Sequence, residues 1–229
     1  MQTNSKINWK LSAFLIIETI LYLLIMAFNN KWYMFASIGL CLLYAIANSK
    51  TGDRFIVAAL SFTLAADFFL VLCTEQQRLW GMIFFLGAQT MYAIRLQLMR
   101  FRLSLLLIRI GLSMTALLIT WMVLKENVDA LALISLCYYA NLVMNIVEGF
   151  TQFRKNKPFP IGLVLFLLCD TVIGLQMMAS TYIPMSDTTV LYQILYPGFN
   201  LAWFFYLPSQ VLLSISGSCN KRNNKEEAL

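Results

Sequence analysis

The sequence predicts an all-α protein, a polytopic membrane bundle of eight transmembrane helices with both termini cytoplasmic. Three observations carry that prediction. The first is charge: of 229 residues, 60% are hydrophobic and only 12% are charged, against roughly 25% charged in soluble domains. A water-soluble globule of this size cannot cover its surface with so few charges. A soluble enzyme, a disordered chain and a nucleic-acid-binding domain are therefore excluded. The second is the grouping of apolar residues, at a mean hydropathy of +0.71, into stretches of about 20 residues, the length that crosses a bilayer. The third is the net charge of +6, whose basic residues gather at alternate ends of those stretches.

The first span, about 9–28, follows Lys6 and Lys10 as a signal sequence would. It lacks a small-x-small cleavage site and carries Glu18 in its middle, so it is read as retained. Asn29-Asn30-Lys31 separates it from the second span, about 32–48. Ser49-Lys50-Thr51-Gly52-Asp53 leads into the third, about 55–74, which holds Asp67. The fourth (79–98) contains Gln89 and Tyr92, and the fifth (103–124) has Arg109 about two turns in. The sixth (130–150) carries Tyr138, Asn141, Asn145 and Glu148. Arg154-Lys155-Asn156-Lys157-Pro158 precedes the seventh (159–180), which holds Asp170. The eighth runs over about 190–216, or starts nearer Pro197 with a short outer segment before it. These connections are too short to link domains, so residues 1–229 form a single integral-membrane domain.

Orientation follows from the basic residues. With the N-terminus inside, Lys6, Lys10, Lys50, Arg54, Arg95, Arg100, Arg102, Arg154, Lys155, Lys157, Lys221, Arg222 and Lys225 all fall at inner ends. The outer ends receive Lys31, Arg78 and Lys125, beside Glu75, Glu126, Asp129 and Asp187. A plasma-membrane location is expected.

The composition also limits the chemistry. The chain has no histidine, so it has no imidazole base, metal ligand or proton relay. Cys41, Cys73, Cys137, Cys169 and Cys219 fall singly, as small packing residues rather than a zinc site. No phosphate-binding loop or dinucleotide fingerprint is present. No metal and no cofactor are expected. Chemistry falls to carboxylates, amides, hydroxyls or water.

Acids inside spans are costly, by at least a few kcal/mol each. Glu148 sits near an inner end and reads as an interfacial charge. Asp67 lies thirteen residues from Arg54 and Asp170 twelve from Pro158, each about 18–20 Å from the inner side at 1.5 Å per residue. Glu18, eight residues past Lys10, is shallower. A single such acid can simply bond a neighbouring helix. Two aspartates at matching depth point to a shared site, because two adjacent carboxylates do not both ionise and so supply an acid and a base. Tyr138, Asn141, Asn145 and Glu148 share one helical face, as do Gln89 with Tyr92 and Glu18 with Tyr22. These stripes either join helices or line a cavity. Leu64-Ala65-Ala66-Asp67 echoes Leu167-Leu168-Cys169-Asp170, and Leu86-Gly87-Ala88-Gln89 echoes Leu207-Pro208-Ser209-Gln210. Both pairs lie four spans apart, as a four-plus-four internal repeat requires.

Several segments resemble the YhhN-like lysoplasmalogenases. They are Ala58-Ala59-Leu60-Ser61-Phe62 through Ala65-Ala66-Asp67-Phe68-Phe69-Leu70, and Trp80-Gly81-Met82-Ile83-Phe84-Phe85-Leu86-Gly87-Ala88-Gln89 with Tyr92. Gly162-Leu163-Val164-Leu165-Phe166 with Cys169-Asp170-Thr171, and Phe205-Tyr206-Leu207-Pro208-Ser209-Gln210, complete the set. The resemblance implies eight helices and hydrolysis of the vinyl ether bond of lysoplasmalogens to a fatty aldehyde and a glycerophospho-base. It also implies that Asp67 and Asp170 match the family's two membrane-embedded catalytic aspartates. The chain departs from the family at Ala66 (usually Gly), Cys169 (usually Ser) and Gln89 (commonly His), and echoes a Lys-Pro signature only as Lys31-Trp32.

The residues suit that chemistry. Protonating the β-carbon of a vinyl ether gives an oxocarbenium ion that water captures, which asks for one carboxylic acid, one carboxylate and a dry slot. Glu18, Gln89, Tyr92, Asn141 and Asn145 are the expected substrate- or water-binding residues, and Arg95, Arg100 or Arg102 either hold the phosphate from the inner side or serve as ordinary inner-end anchors. The expected partners are the bilayer and a lysophospholipid or other lipid, with no nucleic acid. A small-molecule or proton-coupled transporter would use the same acids with broken helices and access to both sides. An inactive homologue would only bind lipid.

Overall fold

A computed structural model describes residues 9–48, 53–74, 77–99, 102–124, 130–181 and 189–226. Among them the chain forms nine helices and no strand: α1 (Trp9–Phe28), α2 (Lys31–Ala47), α3 (Arg54–Asp67), α4 (Arg78–Met99), α5 (Leu103–Leu124), α6 (Ala130–Thr151), α7 (Pro158–Thr181), the short α8 (Val190–Leu195) and α9 (Leu201–Glu226). Five stretches are long and apolar enough to cross a membrane: Trp9–Phe28, Arg54–Leu72, Arg78–Met99, Leu133–Thr151 and Pro158–Met177. Lys6, Lys50, Glu75, Arg100, Lys125, Glu126, Asp129 and Asp187, used above for orientation or phosphate binding, lie outside the described residues.

The ends of the helices follow local chemistry. Asn29 takes a left-handed φ of 48°, which asparagine tolerates better than most residues, and so turns α1 into α2. The Asn30 side chain then caps α2 by accepting from Trp32 N at 2.8 Å. Asp53 does the same for α3, accepting from Phe55 N at 3.0 Å.

One expectation changes here and another is decided. The third span is not uniformly α-helical: after Asp67 it widens into a π-helical turn over Phe68–Leu72, closed by Cys73 N–H donating to the Phe68 carbonyl at 3.2 Å. The eighth, expected over 190–216 or from nearer Pro197 after a short outer segment, takes the second form, as two helices. Pro197 lacks an N–H and Gly198 turns left-handed at φ 79°, so α8 stops at Leu195. Asn200 starts α9 by accepting from Trp203 N at 3.2 Å. Once begun, α9 carries Pro208 inside it and continues to Glu226.

The α7–α9 pair packs most extensively, and Gly162 lies within that interface. A Cβ there would meet Leu213 Cγ at 3.0 Å and the Ser209 carbonyl oxygen at 3.1 Å. Gly81 plays a similar part where α4 meets the π turn, since its Cβ would strike Leu70 Cγ at 2.4 Å. In the first half α1 packs on α2, α2 on α3 and α3 on α4; in the second, α5 packs on α6, α6 on α7 and α7 on α9. Across the halves α2 meets α9 and α4 meets α6.

A core of Ile25, Ile38, Ile56, Leu60, Leu142, Leu163, Phe166 and Leu207 fills the centre. Ile16, Ile17, Ile20 and Leu23 on α1 face outward, as do Leu107, Ile108, Met114, Leu118 and Trp121 on α5. A surface so apolar suits lipid rather than water.

Candidate active site

Asp67 ends the α-helical part of α3 and is 3% exposed. The Tyr206 hydroxyl, from α9, donates to its Oδ2 at 2.6 Å. Asp170, midway along an unbroken α7, accepts from the Tyr138 hydroxyl of α6. The two tyrosines share one aromatic cluster. Phe85 lies 5.8 Å from Tyr138 and 6.4 Å from Tyr206, and Phe166 lies 6.3 Å and 5.5 Å from the same two rings. Asp67 is also within electrostatic reach of Tyr138 and of Cys169, the neighbour of Asp170. Helices α3, α4, α6, α7 and α9 thus bring two carboxyls and two phenols around one aromatic wall, with Asp67 buried and Asp170 half-buried. A phenol donating to a carboxyl fixes the direction in which its second oxygen faces and supplies a polar tip inside an apolar slot.

The other expected ligands divide among different places. Glu18 accepts from the Cys41 thiol at 3.4 Å, and Cys41 is within electrostatic reach of Asp67. Tyr92 is fully buried with its ring 5.5 Å from Phe159, and its hydroxyl has no partner among the described residues.

Asn141 and Asn145 hydrogen-bond to Arg109 rather than to either aspartate. Both accept from Arg109, at 2.9 Å each, and the amide of Asn145 donates to Gln89 Oε1 at 2.9 Å. Arg109 donates to Glu148 Oε1 at 2.8 Å, and Gln97 donates to Glu148 Oε2 at 3.0 Å. Glu148 is therefore buried and ion-paired, not interfacial. The reason is geometric: Arg109, two turns into α5, reaches the Asn141–Asn145–Glu148 face of α6 and neutralises it.

Arg95 is likewise committed. It is 2% exposed, pairs with Asp53 and lies over the Phe159 ring at 4.3 Å. Its Nη2 has no hydrogen-bond partner among the described residues. Arg102 is partly exposed, and its backbone N–H donates to Gln97 Oε1 at 3.4 Å.

Sequence reasoning missed both tyrosines as partners of the acids. The available signal was a phenol within an apolar span at the depth of each acid, since a buried hydroxyl seeks a polar partner. It also missed Arg109 as the centre of a network, because a basic residue near a span end reads first as an anchor.

The family model for the YhhN family matches residues 30–216, most of the chain and both aspartate–tyrosine pairs. The protein belongs to the YhhN family. No curated protein and no solved structure matches it significantly. The match to the YhhN family starts after Glu18 and so leaves out α1, while Gln89, Tyr92, Asn141 and Asn145 fall inside it.

Proposed function

We propose that this YhhN-family protein is an intramembrane lysoplasmalogenase, with Asp67 and Asp170 as the acid–base pair. The observation that supports this most is the convergence of Tyr206–Asp67 and Tyr138–Asp170 on one wall formed by Phe85 and Phe166. One carboxylic acid gives its proton to the β-carbon of the vinyl ether. Water adds to the resulting oxocarbenium carbon and loses a proton to the other carboxylate. The hemiacetal then collapses: its C–O bond to glycerol breaks, the glycerol oxygen takes back a proton, and a fatty aldehyde leaves. One water is consumed and no electrons change hands. The aromatic wall excludes bulk water and suits both an alkenyl chain and a passing cation.

In this reading all eight long helices cross the plasma membrane with both ends cytoplasmic, and the repeated packing order reflects a duplicated four-helix unit. Glu18 contributes from α1 through Cys41. Gln89, Asn141 and Asn145 support the site from the Arg109 network rather than touching substrate. A transporter would call for helices broken at the acids. Against that reading, α7 runs unbroken through Asp170, and α3 passes into its π turn with hydrogen bonding kept to Cys73.

The test is aldehyde release from a lysoplasmalogen by purified protein. Asp67→Asn and Asp170→Asn each abolish it while the melting temperature stays within a few degrees. Turnover that survives both substitutions removes the aspartates from the mechanism.

A further inference from the structure

Four buried polar atoms on α1, α3, α4 and α9 have no protein partner among the described residues: Glu18 Oε2, Thr63 Oγ1, Tyr92 Oη and Gln210 Oε1. Thr63, Gln210 and Tyr92 are fully buried, and Glu18 is 3% exposed. Thr63 stands apart from its neighbours. The hydroxyls of Thr19, Ser61, Thr90 and Thr171 all donate to the carbonyl four residues back. The Thr63 hydroxyl makes no such bond, so it is free to meet something else.

The register of α3 against α9 says where it stands. Asp67 meets Tyr206. Eleven residues back along α3 and eleven forward along α9, a Cβ at Gly217 would lie 3.5 Å from Ile56. With these two neighbouring pairs eleven residues apart on each helix, Thr63 and Gln210, each four residues from the Asp67–Tyr206 bond, fall on the facing sides of α3 and α9 one turn away. The other two atoms are linked to Asp67 through Cys41. Cys41 bonds Glu18, contacts Ser214 on α9 and is within electrostatic reach of both Asp67 and Tyr92.

Buried hydroxyl and amide oxygens are costly when unpaired, and a buried water takes two to four such partners. We propose that Thr63 and Gln210 hold a buried water one turn from Asp67, continued towards Tyr92 and Glu18, and that this store supplies the water consumed at Asp67. The second half of the proposal rests on the hydrolase reading above. The first half does not.

Thr63→Val is close to isosteric and decides the first half by its sign. In a dry contact, losing an orphaned hydroxyl raises the melting temperature. With a water bound there, Val strands that water and lowers it by about 2–4 °C, the shift expected for loss of one hydrogen bond in a chain of this size. An unchanged or raised value overturns the site.

Radiolytic footprinting of the parent in 18O-water is the second readout and needs no variant to fold. Tyr92 and Cys41 gain the label, whereas the equally buried Phe166 does not, and Thr63→Val and Gln210→Met suppress it. Labelling of Tyr92 and Cys41 no greater than that of Phe166 also overturns the site. If the site passes and the parent releases aldehyde, Thr63→Val lowers kcat with KM unchanged. Unchanged kcat refutes the supply role, while a parent with no turnover refutes the hydrolase reading and leaves the water site standing on its own measurements.

Discussion

Replacing Arg109 by methionine removes three donated hydrogen bonds from a buried setting. Their acceptors are Asn141 Oδ1, Asn145 Oδ1 and Glu148 Oε1, at 2.8–2.9 Å. The largest cost is Glu148, left with the neutral amide of Gln97 as its remaining donor. Breaking a buried ion pair from one side costs about 3–5 kcal/mol. At roughly 2–4 °C per kcal/mol for a chain of this size, Arg109→Met should melt about 6–20 °C below the parent in the same detergent.

The double variant Arg109→Met with Glu148→Met removes both charges. Gln97 is only partly buried and can turn to water or headgroups, so its loss is small. Asn145 is fully buried and keeps an orphaned Oδ1, which costs about 1–3 kcal/mol. The double variant should therefore recover part of the loss and melt above Arg109→Met. Thermal unfolding monitored by intrinsic fluorescence, run as a double-mutant cycle, measures this directly. A single variant within about 3 °C of the parent, or a double variant less stable than Arg109→Met, would refute the view that the pair neutralises α6 inside the bundle.

Tyr206→Phe and Tyr138→Phe should each lower kcat for aldehyde release by about 10–100-fold with KM little changed, the worth of one hydrogen bond to a carboxyl; steady-state kinetics checks this. Gly162→Ala should cost about 1–3 kcal/mol because the Ser209 carbonyl cannot move away, whereas Gly39→Ala, with nothing within 4 Å of its Cβ, should be neutral or stabilising by melting temperature. Asp53→Ala should lower the melting temperature by losing both the α3 cap, worth about 1 kcal/mol, and the partner of Arg95. Arg95→Met should likewise reduce stability without selectively raising KM for a lysophospholipid, and a selective rise would return Arg95 to the phosphate.

The helices were legible in the sequence because a bilayer imposes its rule locally. Each span must be long, apolar and internally hydrogen-bonded, and that reads from a window of 20 residues without knowing its neighbours. Hence α1, α4, α5 and α7 fall within a residue of their expected bounds. The interruption at Pro197 and Gly198 was visible as a residue pattern. The π turn after Asp67 was not, because neither proline nor glycine marks it. It lies where Leu70 fills the space left open by Gly81 on α4, a neighbour eleven residues away whose placement depends on packing.

The sequence by itself determined which residues are costly in lipid, and so named Asp67, Asp170, Glu18 and Glu148 before any fold was known. Only the tertiary structure decided what each of them does with its charge. Asp67 and Asp170 meet phenols on α9 and α6, Glu18 meets a thiol, and Glu148 is neutralised by Arg109 from α5. The physical reason is that the cost of burying an acid is a property of the residue and its depth. Its compensation is a property of whichever helix stands opposite, fixed by side-chain packing across contacts of 23 to 139 residues in sequence separation.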